Sequence, residues 1–246
     1  MTIRSFKKGI RPILLVVVLT MVAVLAAAPV QAGGFYFKAA GGISGMAMDD
    51  INNSNFSFSG DPDDGYNFPD LKSGFSMSFG LGADLSKHWA MGFNWNIQHA
   101  HTSGNDGDVD GTLKLDANIF MLNGYWLPMR GQKFSVGAGA GIGIVGANGT
   151  TKVERGNVDY GEGKTSGTNV AYEIFGTAEY LLSKSTALQL TAGWRVADVK
   201  TVKYNNATLL KEDGSNMSLD YTGYTLMLGV VFRMGSDSGV SGSDLQ

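Results

Sequence analysis

The chain has 246 residues, with 19 basic and 22 acidic side chains, 35 glycines, five prolines and no cysteine. Without cysteine no disulfide can staple it, and the acidic balance with no basic patch argues against nucleic-acid binding. Glycine is far above ordinary usage, yet there is no Gly-x-y period, which excludes collagen and disfavours long helices.

Residues 1–32 read as a secretory signal. Arg4, Lys7, Lys8 and Arg11 precede the apolar stretch "PILLVVVLTMVAVLAAA", and Val30 and Ala32 sit where a processing enzyme requires small residues before Gly33. Cleavage after Ala32 leaves fifteen basic against twenty-two acidic residues, a net charge of −7. No later run is apolar enough to span a membrane as a helix. The expected organisation is a signal at 1–32, one domain at 33–234 and a polar, glycine-rich tail at 235–246.

Eight segments then alternate at period two, the pattern of strands. The first, 33–45, sets Phe35, Phe37, Ala39 and Ile43 against Tyr36, Lys38, Ala40 and Gly42. The second, 73–85, sets Phe75, Met77, Phe79, Leu81 and Leu85 against serines, glycines and Asp84. The third gives Trp89, Met91, Phe93, Trp95 and Ile97 on one face. The fourth, 112–126, places Leu113, Leu115, Ala117, Ile119 and Met121 opposite Lys114, Asp116 and Asn118; Phe120 and Leu122 intrude on its polar face. The fifth opposes Phe134, Val136, Ala138, Ala140, Ile142 and Ile144 to Ser135 and four glycines. The sixth, 169–182, carries Val170, Tyr172, Ile174, Ala178, Tyr180 and Leu182 opposite Glu173, Phe175, Thr177 and Glu179. The seventh, 187–199, opposes Leu188, Leu190, Ala192, Trp194 and Val196 to Gln189, Thr191, Gly193 and Arg195. In the eighth, 221–233, Tyr224, Leu226, Leu228, Val230 and Phe232 line one face, and Arg233 follows toward interface or solvent.

The connections run long, short, long, short. "SKH", "LPMRGQK" and "SKS" fall at one end with both termini; the stretches near 46–72, 99–111, 146–168 and 200–220 fall at the other. A soluble, lipocalin-like barrel would have to pack the bulky face inward, and an eight-stranded interior has little room for it. Turning that face to lipid, where every backbone group must be paired and the sheet must close, predicts an all-β, eight-stranded antiparallel up-and-down transmembrane barrel with four long extracellular loops and three short periplasmic turns. Trp89, Trp126, Phe134, Tyr180 and Phe232 are expected at a turn-side aromatic girdle, with Tyr172 and Tyr221, and with them Trp95 and Trp194, toward the loop side.

On these segments the chain resembles the small eight-stranded outer-membrane barrels of Gram-negative bacteria, the OmpA-barrel, OmpX and opacity-protein group. The resemblance covers roughly 33–233 and implies integral localisation in the outer membrane, contact with its lipids and lipopolysaccharide, and delivery by the barrel-insertion machinery. Members of that group end in an aromatic residue preceded by alternating apolar ones. Tyr224, Leu226, Leu228, Val230 and Phe232 match that insertion signal, although this chain continues for fourteen residues beyond Phe232.

A side-chain-filled lumen requires its charges to be paired. Lys38, Lys114, Asp116, Glu173, Glu179 and Arg195 are the expected lumen ion network, and centring the tight hairpin on Lys184 sets Glu173 across from Arg195. "HAHTSGN" is the sole stretch inviting a chemical reading. His101 and Ser103, with His99, faintly resemble the active site of outer-membrane lipid A deacylases, but Gly104 stands where that family has asparagine and no carboxylate is clearly placed. Two histidines are weak support for a metal, "GAGAGIGIVGANG" lacks a P-loop's Lys-Ser/Thr, and "DPDDGYNFPD" lacks the spacing of a calcium loop. No cofactor is implied. The expected role is non-enzymatic: an envelope-structural or surface-binding barrel whose loops meet an extracellular ligand. A narrow solute channel and, further off, a lipid A-modifying esterase are the alternatives.

Overall fold

The computed structural model describes residues 34–52, 56–57, 65–66, 70–106, 109–131, 133–155, 158–204, 207–211 and 214–234. The expected signal, the tail at 235–246 and much of the first long loop lie outside the described residues.

Eight strands form the barrel: β1 (Phe35–Gly45), β2 (Ser73–Asp84), β3 (Trp89–Asp106), β4 (Val109–Arg130), β5 (Phe134–Arg155), β6 (Val158–Leu181), β7 (Thr186–Val196) and β8 (Gly223–Met234). Each pairs antiparallel with its sequence neighbours, and β8 returns to β1 through Phe37↔Phe232 and Ile43↔Leu226, closing the sheet. The one break in the β4–β5 register falls between Trp126 and Met129, around Pro128, which has no N–H to give a ladder.

The strands are unequal. Those of β1, β2, β7 and β8 have 11 or 12 residues, whereas β3 has 18, β4 and β5 have 22 and β6 has 24. Two of the long connections are therefore continuations of the sheet. The ladder from Ala100↔Leu115 to Asp106↔Val109 runs without a break, and the one from Gly146↔Thr168 reaches Arg155↔Val158 with a single register shift between Lys152 and Glu154. Roughly ten extra residues carry β4–β6 about 30 Å along the strand beyond the short half.

This extension explains a correction to β4. Leu113, Leu115, Ala117, Ile119 and Met121 point inward and are buried, while Lys114 and Asp116 are on the outer face with Phe120, Leu122 and Trp126. The strand crosses two environments. Within the bilayer the outer face must be apolar; above it the outer face meets water and the inner face a dry core. The hydrophobic phase flips near Ile119–Phe120 while the backbone alternation continues unchanged. The intruding Phe120 and Leu122 are the lipid-facing residues.

Elsewhere the faces fall as the alternation predicts. Phe35, Phe79, Leu81, Trp89, Ile142, Ile174, Leu190 and Trp194 are exposed on the outer face, an apolar belt that suits lipid. Above the barrel, the helix α1 (Asp49–Asn52) and the described parts of 197–221 pack together across the mouth. Asp198–Val199 pairs with Leu219–Asp220, and Lys203–Tyr204 adds to the upper edge of β6.

Candidate functional site

The barrel interior holds three polar tiers. At the periplasmic end Arg233 turns inward, contrary to the expectation that it meets solvent. Its Nη2 donates to Glu179 Oε2, and its Nε lies 3.9 Å from Asp84 Oδ2. Arg130 Nη2 reaches the same Asp84 oxygen at 2.6 Å, and Gln189 Nε2 donates to Glu179 Oε1 at 2.8 Å. In the middle, Lys38 Nζ donates to Tyr125 Oη at 2.9 Å, as does Asn94 Nδ2 at 3.2 Å. The Tyr125 ring meets Tyr36 and Phe175 edge-on, with centroids 6.4 and 5.1 Å apart. In the upper tier Glu173 and Arg195 stand opposite each other in the β6–β7 register. Arg195 Nη2 and Nε donate to Glu173 Oε2 at 2.9 and 3.2 Å, and Asn123 Nδ2 donates to Oε1 at 2.8 Å.

Glycines make room for these groups. A Cβ on Gly82 would collide with the Tyr36 ring, and one on Gly139 with the Phe175 ring. At these positions small residues on one strand admit large ones from another. Among the described residues, lumen cavities of about 10 Å³ beside Tyr36, Lys38, Asp84 and Glu179 and about 30 Å³ beside Lys38, Asn96, Glu173 and Arg195 are left between these groups. Each is on the scale of individual waters.

A different material lies above. Met48, Leu115, Ile119, Met121, Val145, Val199, Val202, Leu219 and Tyr221 form a buried apolar cluster across the mouth. Tyr221, expected in the outer girdle, is 1% exposed and donates its hydroxyl to the Asp116 carbonyl at 3.4 Å. A polar clasp holds the elements that supply the cluster. Asp50 accepts from Ser218 N at 2.9 Å, Ser218 Oγ at 2.8 Å and Lys211 Nζ at 3.1 Å, while Asn52 and Leu71 exchange hydrogen bonds. Burial pushes the Asp50 carboxyl up, but the Ser218 and Lys211 contacts outweigh it and hold it below the ordinary value. Asp198 is raised, by burial first and by nearby Asp220 second, with Lys200 opposing.

Of the expected network, Lys38, Glu173, Glu179 and Arg195 lie in the lumen, but in different tiers rather than one chain of contacts. Lys114 and Asp116 are outside it, for the reason given for β4. Sequence reasoning missed Asp84, Arg130 and Arg233 as members. Asp84 and Arg233 share the inward parity of their strands, a signal that was legible; Arg130 follows the Pro128 irregularity, which obscures parity. Tyr224, Leu226, Leu228, Val230 and Phe232 all face outward on β8, and the largest of them are exposed there.

The rim residues resolve differently. His99, His101 and Ser103 all project from the outer face of β3. His99 Nδ1 is bonded to Asp116 Oδ1, so a carboxylate is present after all. That histidine is four residues from Ser103, about 13 Å along a strand, whereas His101 stands opposite Lys114. The arrangement lacks the contiguous serine, histidine and carboxylate of a hydrolytic triad. Among the described residues no three His, Asp or Glu side chains converge as a metal site.

The model of the outer membrane protein beta-barrel domain matches residues 14–232. The chain belongs to this family. It is an integral protein of the bacterial outer membrane, with the contact with outer-membrane lipids and the dependence on insertion machinery typical of such barrels. No curated protein matches its sequence. Among solved structures, the chain is similar to Neisserial surface protein A at 12% identity, covering 83% of this chain and 100% of that one, with a TM-score of 0.43. It is similar to OprG from Pseudomonas aeruginosa at 14% identity over 83% and 97% of the two chains, TM-score 0.44. A major outer membrane protein from Thermus thermophilus gives 14% identity over 83% and 100%, TM-score 0.48.

Proposed function

We propose that the protein is a closed surface scaffold: a barrel with a filled lumen that holds a tall extracellular wall, β3–β6, and the folded segments of its mouth above the membrane. The observation that carries this reading is the stacking of two unlike seals, an apolar cluster at the mouth over hydrogen-bonded ion pairs in the lumen. A solute on the axis would have to displace both. The lumen charges, on this reading, are structural: each carboxylate is matched by an arginine, which offsets the cost of burying it.

The same reading gives the outward row Tyr224, Leu226, Leu228, Val230 and Phe232 the role of insertion signal, supported by its place on the closing strand beside β1. Recognition then occurs at Phe232, with 235–246 a periplasmic extension, and deletion of 235–246 is expected to leave insertion intact. Binding of an extracellular ligand is assigned to the wall and mouth, because such elements vary at modest cost on a rigid scaffold.

Planar-bilayer recording of the purified, heat-modifiable barrel tests the seal. A flat baseline is expected. Large, stable single-channel steps would overturn the closed reading in favour of the narrow channel.

A further inference from the structure

The long strands carry their outward charges at defined heights. In the paired register the outer face shows an apolar row, Trp95, Phe120, Ile144 and Val170; Trp95 stacks on Phe120 with centroids 6.2 Å apart. Next comes Ile97, Asn118, Gly146 and Thr168, and above it His99, Asp116, Asn148 and Ser166, with Lys203 paired to Ser166. The following row is His101, Lys114, Thr150 and Lys164, and Lys152 faces outward one step higher. Toward the tip the signs reverse, with Asp110 opposite Glu154. The wall of a net-acidic protein thus wears a band of lysines, on β4, β5, β6 and the Lys203 segment, between its lipid belt and its acidic tip.

That height has a chemical meaning. Ile97 to His101 is four residues, about 13 Å along the strand and less in height once the strand tilt is counted. A lysine stem spans several ångströms more and can bend toward the interface. The ammonium groups therefore reach the depth at which outer-leaflet headgroups begin. Lys114 and Lys164 are two strands apart in one row, about 10 Å, a span suited to the charged face of a single headgroup. On this face Asp116 is engaged with His99, and Glu154 with Lys152.

We propose that the outer face of β4–β6 is a binding site for a phosphorylated glycolipid of the outer leaflet, with Lys114 and Lys164 holding phosphate and the Trp95–Phe120 pair lying along its acyl chains. The proposal rests on the outer-membrane placement of the wall and not on the closure of the lumen. A conducting barrel would leave it standing, and a bare wall would leave the closed scaffold standing.

The test is native mass spectrometry of the full-length protein in mild detergent, titrated with purified lipid A bearing both phosphates and with the same lipid dephosphorylated. Wild type is expected to bind the phosphorylated form and to lose most binding when the phosphates are removed. K114Q/K164Q is expected to weaken it about thirtyfold, at roughly fivefold per surface lysine. Lys114→Arg with Lys164→Arg should retain it, and excess inorganic phosphate should not displace it. K87Q, in the periplasmic turn, should bind as wild type. Heat-modifiable migration on a gel verifies that each variant is a folded barrel. Undiminished binding by K114Q/K164Q, or equal binding of the dephosphorylated lipid, would overturn the proposal.

Discussion

The lower barrel and the upper wall are made of the same strands with opposite polarity. Below, β4 sends Leu122 and Trp126 outward and Asn123 and Tyr125 inward; above, it sends Lys114 and Asp116 outward and Leu115 and Ile119 inward. The solvent decides. Lipid accepts large apolar groups and leaves a polar lumen to satisfy itself through ion pairs. Water accepts charge and lets an ordinary hydrophobic core form between sheet and mouth segments. The two halves should therefore fail in different ways, the lower through unpaired charge and the upper through lost packing.

The largest effect is expected in the lower half. Arg195→Ala leaves Glu173 buried without its cation, a loss of about 3–5 kcal/mol in urea unfolding of the detergent-folded protein. Replacing both partners, Glu173→Leu with Arg195→Met, should recover most of that loss, because it removes the charge rather than orphaning it. The ion pair on the upper wall provides the counterpart. Both partners, His99 and Asp116, are about half exposed, and Asp116→Asn is expected to cost less than about 1 kcal/mol. Equal losses for the two would mean that the lumen pair is as well hydrated as the surface one.

Packing gives the next largest effect and reverses the order of the halves. Leu115 is 1% exposed in the mouth cluster, while Leu122, on the same strand, is 47% exposed toward lipid. Leu115→Ala is expected to cost about 2–5 kcal/mol, through lost burial and a residual cavity. Leu122→Ala should cost much less, since acyl chains fill the space it leaves. The order would be the reverse if the outward phase of β4 above residue 119 were the apolar one.

That phase marks how far the sequence was legible. Strand number, closure and the inward parity of Lys38, Glu173, Glu179 and Arg195 follow from period-two alternation, because seven strands keep one solvent relation over the part that alternates visibly. Single-environment alternation cannot be read across a strand that leaves the membrane, and so Lys114 and Asp116 were assigned to the lumen. "HAHTSGNDGDVDG" looks like a loop for a similar reason. Polar side chains outside the bilayer carry no apolar periodicity, yet backbone pairing continues through them. The clasp of Asp50 on Ser218 joins residues 168 apart in sequence and left no local signature.

A smaller test uses two glycines of β5. Gly139 faces the lumen against Phe175, and Gly146 faces outward, where a Cβ would meet nothing nearer than 3.9 Å. Gly139→Leu is expected to cost about 1–3 kcal/mol by overpacking, measured by the same unfolding assay. Gly146→Ala should stay within about 0.5 kcal/mol of wild type. A neutral Gly139→Leu would show that the lumen gives way to added volume, as a water-filled interior would.

The smallest expected effect concerns pH and is confined to the mouth. The lowered value of Asp50 means that its clasp contributes stability fully above the ordinary carboxylate value of 3.8, lost as pH falls through the folded value. Asp198 has the opposite sign. Its raised value makes the charged form costly, so protonation as pH falls toward 3.8 relieves the pairing with Asp220. On acidification from neutrality, amide exchange across 198–220 should first slow slightly as Asp198 takes up its proton, then rise once Asp50 is protonated. Exchange is read after correction for its intrinsic pH dependence. Asp50→Asn should keep the first phase and lose the second, while β7 and β8 within the membrane show neither. A single monotonic rise in wild type would mean that Asp198 is as well solvated as an ordinary surface carboxylate, and that the Asp50 clasp is the mouth's pH-sensitive contact.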